Sequence, residues 1–70
     1  SRQEESNIVF RRSIFCVQDI KKGEKLSEQN VRIIRPGYGL EPKYYPQGLG
    51  QRALRDIKRG TPLRLEWIGE

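Results

Sequence analysis

Apolar residues fall along this chain in short clusters, not in helical stripes. No window of eleven residues carries the spacing of an amphipathic helix. Four short runs rich in β-branched or aromatic residues predict strands, at residues 8–10, 13–17, 31–34 and 51–54. Residues 1–7 hold no apolar side chain and predict a linker or frayed terminus, with the folded domain spanning residues 8–70. Alternation along 13–17 puts Ile14 and Cys16 on one face and Phe15 and Val17 on the other, and predicts that Cys16 is buried and unreactive.

The polar positions between these runs repeat. CVQDIKKGEKLSEQNV, beginning at Cys16, returns 37 residues later as ALRDIKRGTPLRLEWI, beginning at Ala53. Asp19, Ile20, Lys21, Gly23 and Leu26 recur as Asp56, Ile57, Lys58, Gly60 and Leu63. Each copy reads as strand, tight turn, and return to the core. Gly23 and Gly60 are expected at positive φ, where a Cβ would clash. Asp19 and Asp56 are expected to bond the amides of their own turns. Ile20 and Ile57 tuck under the turns, and Leu26 and Leu63 return to the core. Residues 27–30 suit one capped helical turn, with 65–68 as its counterpart. The two copies predict a pseudo-twofold, mostly β domain of interlocked halves with short helical turns. The DIK(K/R)G turns read as solvated turns, or alternatively as an anion site.

Composition narrows the function. Seventy residues make one small domain with a small core. There is no His, and Cys16 is the single cysteine, so neither an imidazole base nor an internal disulfide is available. A lone cysteine fits a reducing compartment. No run approaches the roughly 18 apolar residues needed to cross a bilayer, and the polar start reads as no signal peptide. The chain begins at Ser1, without Met, which reads as a piece of a larger protein. The net charge of +5 comes from 14 Lys and Arg against 9 Asp and Glu, spread with no run longer than two. It reads as a solvated surface or as a weak nucleic-acid signal.

Between the repeats lies Arg35-Pro36-Gly37-Tyr38-Gly39-Leu40, opening the long segment 36–50. Pro36 fixes its own φ and pushes Arg35 towards extended backbone. Gly37 and Gly39 are expected to let the chain turn sharply. The result is one guanidinium at the tip of a stiff element, suited to a carbonyl, carboxylate or phosphate. Arg35 is expected to be exposed and to pack against nothing local. The loop lacks GxGxxG and GxxxxGK[ST], so it is not read as a phosphate loop.

RRSIF, DIKKGE, RPGYGL, LGQ and DIKRGTPL, spread over residues 8–68, together resemble the C-terminal SAF domain of bacterial sialic acid synthases, which is similar to type III fish antifreeze proteins. RPGYGL followed by PKY leans towards the pseudaminate or spore-coat branch. The resemblance implies a β-clip fold and a parent enzyme with an N-terminal TIM barrel. That parent condenses phosphoenolpyruvate with an N-acetylated hexosamine, uses Mn²⁺ or Mg²⁺ in the barrel, and is cytoplasmic. It implies a domain-swapped homodimer in which this domain covers the barrel of the other subunit. Arg35 would then contact the substrate's N-acetyl group, and Tyr38, in the variable slot, either touches substrate or packs. The domain itself would hold no metal or cofactor and no catalytic residue, and would bind neither membrane nor nucleic acid. Tyr45-Pro46-Gln47-Gly48 departs from the pattern, and Pro46 and Gly48 are expected to shorten or break the helical turn there.

Two other classes remain for comparison. A nucleic-acid-binding β module would use Tyr38, Tyr44 and Tyr45 beside Arg35 and Lys43 as a stacking platform. An ice-binding surface calls for a flat, weakly charged face, for which a chain 33% charged is poorly suited.

Overall fold

The computed structural model describes residues 8–70. Four short strands form two antiparallel pairs. β1 (Ser13–Cys16) pairs with β2 (Val31–Ile34), in the register Ser13 to Ile34 and Cys16 to Val31. β3 (Arg52–Ala53) pairs with β4 (Ile68–Gly69), Ala53 lying opposite Ile68. Shifting the first pairing by 37 residues yields the second. Short helical turns join these pairs: 3₁₀ turns at Pro42–Tyr44 and Leu65–Trp67, and one α turn at Tyr45–Gly48.

The repeat is visible bond by bond. Ile20 and Ile57 face each other and exchange two N–H···O bonds of 2.8 Å. Gly23 N–H donates to Ala53 O, and Gly60 N–H donates to Cys16 O, each at 2.7 Å. Cys16 N–H donates to Thr61 O and Ala53 N–H to Glu24 O, each at 2.9 Å. Every bond named has its counterpart 37 residues on, so the halves are related by a pseudo-twofold operation. Gly23 and Gly60 take φ of +90° and +88°, as expected. Gly50, which the repeat did not flag, is also left-handed at +90°.

The aspartates behave differently from expectation. Asp56 Oδ1 accepts from Lys22 N–H at 2.8 Å, and Asp19 Oδ1 accepts from Arg59 N–H at 2.9 Å. Each caps the turn of the other copy and not its own. The Ile20–Ile57 bridge brings the two turns side by side, so the neighbouring turn's amide lies nearer than the local one.

Ile14, Cys16, Ile20, Leu26 and Val31 from the first half pack with Ala53, Ile57, Leu63 and Ile68 from the second. Fully burying one such aliphatic side chain is worth about 1.5–3 kcal/mol, and neither half holds enough of them to close a core alone. All four residues of β1 are buried, Phe15 included, so the predicted two-faced alternation is lost because the second half covers its other side. Cys16 is fully buried, as expected.

Two further expectations need correction. Residues 8–10 are helical and not a strand. Their apolar side chains suggested extended structure, yet Val9 and Phe10 stay exposed and find no strand partner. The turn at Tyr45–Gly48 is not broken by Pro46 and Gly48 but is a single α turn of four residues, because Pro46 falls at its start, where no intrahelical N–H is needed. Residues 27–31 form the expected capped turn: Asn30 Oδ1 accepts from Ser27 N–H (2.8 Å), and Ser27 Oγ from Gln29 N–H (3.2 Å). The predicted linker, residues 1–7, lies outside the described residues.

Candidate functional site: the loop that carries Arg35

β2 ends at Ile34, directly opposite Ser13, and the chain leaves the ladder into a loop that opens with a cis Arg35–Pro36 peptide. The loop is held at several points. Ser13 Oγ–H donates to Pro36 O at 2.7 Å, and the same oxygen accepts from Gly39 N–H at 2.9 Å. Gly37 N–H donates to Ile8 O at 2.7 Å. Leu40 is fixed on both sides, its carbonyl accepting from Ile14 N–H and its amide donating to Leu63 O.

The chain turns and bends over residues 37–39, as expected, but neither Gly37 nor Gly39 has a positive φ, so conformational freedom is not why glycine stands there. The reason is space. A Cβ on Gly39 would lie 2.2 Å from the Ile14 carbonyl oxygen, and one on Gly37 would lie 2.9 Å from Arg11 Cβ. The loop lies flat on β1 and the segment before it, leaving no room for side chains on its inner face.

Arg35 is exposed, as expected, but it is not free of local contacts. Its Nε–H donates to Phe10 O at 2.7 Å. Among the described residues no hydrogen bond engages its two Nη groups. The guanidinium is therefore oriented through its Nε edge. Tyr38, on the same loop, is 61% exposed. Phe10 beside the site is 72% exposed. On one side of the loop is a cleft of about 220 Å³ lined by Arg11, Arg12, Ser13, Glu41 and Lys43. On the other, Tyr38 faces a groove with Leu63 and Leu65, rimmed by the Arg64–Glu66 pair at 2.9 Å. The hydrogen bond from Arg64 holds the Glu66 carboxyl below its ordinary range.

The remaining candidates separate from this site. Asp19, Asp56, Gly23 and Gly60 meet at the interlocked turns, where the carboxylates are used as caps. They build scaffold. Tyr44 and Tyr45 turn against the core, Tyr45 OH donating to Val31 O at 2.9 Å, so three tyrosines do not form a stacking platform with Arg35. Among the described residues no group of three or more His, Cys, Asp or Glu could hold a metal ion, and no helix is long and apolar enough to cross a membrane. Sequence reasoning missed Ser13 and the Phe10 carbonyl. Ser13 left one signal: a single hydroxyl heading the otherwise apolar run SIFC.

Fold and site together define a class: a small β domain of two interlocked halves whose connecting loop holds one arginine out to solvent. The SAF domain family matches residues 11–66, and the chain belongs to it. It is 52% identical over 58 residues to the pseudaminic acid synthase of Campylobacter jejuni, covering 83% of this chain but 17% of that protein. The crystal structure of a Bacillus subtilis spore coat polysaccharide biosynthesis protein superposes with a TM-score of 0.84 at 37% identity, covering 96% of this chain and 20% of that one. The solution structure of the antifreeze-like domain from human N-acetylneuraminic acid phosphate synthase superposes with a TM-score of 0.74 at 15% identity, covering 83% of this chain and 75% of that one. At that identity the likeness speaks for the fold alone, the antifreeze-like β-clip. The chain thus spans about a fifth or less of the length of the curated relatives it matches.

Proposed function

We propose that this SAF domain is the closing module of a nonulosonic acid synthase of the pseudaminic acid type. The parent enzyme condenses phosphoenolpyruvate with an N-acetylated hexosamine in a TIM barrel that carries the divalent metal, Mn²⁺ or Mg²⁺. The domain sits over the barrel mouth of the other subunit in a homodimer and contributes Arg35 there. It supplies position and charge, while the bond-forming chemistry belongs to the barrel.

One observation carries the reading: Arg35 is exposed, and its guanidinium is tied through Nε to Phe10 O at 2.7 Å. An arginine with one edge pre-oriented loses less side-chain freedom on binding and offers its planar fork to a carbonyl oxygen. The 52% identity to a pseudaminic acid synthase supports the choice of branch. Tyr38 is exposed on the same loop and would meet the sugar ring beside Arg35.

The test is Arg35→Ala in the full-length enzyme. A charged donor to a neutral carbonyl is worth about 1.5–3 kcal/mol, so kcat/KM for the aminosugar falls about 10- to 150-fold. Use of phosphoenolpyruvate changes little. Arg35→Lys recovers little, since a point charge lacks the fork. The lost exposed bond to Phe10 O lowers domain stability by at most about 1 kcal/mol. An Arg35→Ala enzyme as active as the parent on the aminosugar refutes the reading.

A further inference from the structure

Two polar side chains are buried among the described residues, Asn30 and Ser13. Asn30 closes its own turn. Ser13, 1% exposed, closes nothing in its own strand: both of its hydroxyl bonds reach across to the loop that follows Arg35. We propose that Ser13 is the positioning residue for Arg35, its hydroxyl holding the 36–39 loop in the one shape that presents the guanidinium. This rests on the reading of Arg35 given above.

The hydroxyl's single proton goes to Pro36 O, and its oxygen takes the Gly39 proton. The bridge therefore ties the two ends of a segment that contains only Gly37 and Tyr38. Outside the bridge the backbone is anchored independently. Ile34 lies in the β1–β2 ladder, and Leu40 is bonded to Ile14 and Leu63. Loss of the hydroxyl thus leaves the anchors in place and frees the middle. Pro36 O and Gly39 N–H would each lose their partner where the loop lies against β1, and an unpaired polar group in such a place drives the backbone to a new arrangement. Arg35 is bonded directly to Pro36, so any such shift turns its Cα–Cβ direction. Phe10 O grips the other end of the same side chain. Residues 10 and 13 together hold Arg35 by its Nε edge and by the backbone that follows it.

A double-mutant cycle in the full-length enzyme tests this, using Ser13→Ala, Arg35→Ala and both. The assay uses phosphoenolpyruvate with whichever of a panel of N-acetylated hexosamines the unmodified enzyme condenses fastest, with rates normalised to folded protein. Ser13→Ala is expected to lower kcat/KM for the aminosugar about tenfold, with KM for phosphoenolpyruvate unchanged. In the Arg35→Ala background it is expected to cost nothing further. A merely structural serine would cost the same factor in both backgrounds. If Ser13→Ala does not fold, Ser13→Cys, close in size and only a weak donor, takes its place in the cycle. Additive losses, or a fully active Ser13 variant beside an impaired Arg35→Ala, overturn the positioning role. An Arg35→Ala enzyme without a defect instead overturns the reading of Arg35, and the role of Ser13 with it.

Discussion

The interlocked turns and the Arg35 loop solve opposite problems with the same residue types. At the turns, glycine supplies φ: Gly23 and Gly60 are left-handed, with nothing within 4 Å of an added Cβ. In the loop, glycine supplies space: Gly39 has ordinary φ, but Ile14 O occupies the place of its Cβ. At the turns, polar side chains are spent on backbone, each aspartate on the other half's amide. In the loop, Ser13 does the bracing, and among the described residues the arginine's side chain bonds only through Nε. In the symmetric part each half's carboxylate completes the other half's turn. The loop has no twin, so its groups remain available to a partner.

Substitutions at the two kinds of glycine test that difference most sharply. Gly39→Ala forces a methyl against the Ile14 carbonyl, which already accepts from Leu63 N–H, and is expected to cost about 3 kcal/mol or more. Gly60→Ala meets open space and carries only the strain of a left-handed backbone, about 1 kcal/mol, and Gly23→Ala should match it. Thermal or denaturant melts of the three variants read this out. Equal losses at Gly39 and Gly60 would erase the distinction.

The reciprocal caps yield a smaller effect with a sharper signature. Asp19→Ala and Asp56→Ala should each cost about 0.5–1 kcal/mol, being exposed hydrogen bonds. Amide exchange should quicken at Arg59 in the first variant and at Lys22 in the second. Faster exchange within the mutated turn itself would contradict the crossed pairing.

The faintest expected effect concerns Cys16, set in the seam between the halves. Its burial raises the thiol above its ordinary value of 9.0; a backbone hydrogen bond at Gln18 opposes this, and the charges of Asp19 and Glu24 add to it. Labelling by a thiol reagent at neutral pH should wait on opening of the fold. A raised folded value favours the protonated thiol, so its contribution to stability is whole below about pH 9 and is lost as pH climbs through the raised value. Fast labelling in native buffer would show that the seam is open.

The scaffold was legible because its rules are local and doubled. DIKKG and DIKRG each show the turn, and seeing them twice identifies the core positions Ile20, Leu26, Ile57 and Leu63. The loop was legible only at Arg35, through Pro36 and the resemblance. Ser13 and Phe10 O act across more than 20 residues of sequence, and one of them is a backbone atom that no composition records. The crossed aspartates escaped for the same reason. A turn motif says that an amide will be capped, but only the pairing of Ile20 with Ile57 says by which carboxylate.

That crossed capping also sets how the chain must find its shape. The bonds from Lys22 to Asp56 and from Arg59 to Asp19 join positions 34 and 40 residues apart. A domain whose turns are completed only at such range has little to stabilise it before most of the chain has come together. Closing loops of that length comes first, and the reward arrives afterwards. Folding should therefore be slow for so small a domain, on the millisecond-to-second scale of non-local β topologies rather than the microsecond scale of helical ones. It should also be all-or-none. A ribosome that has released the domain only as far as residue 40 would hold a half with its turn uncapped and its core open, waiting for its twin.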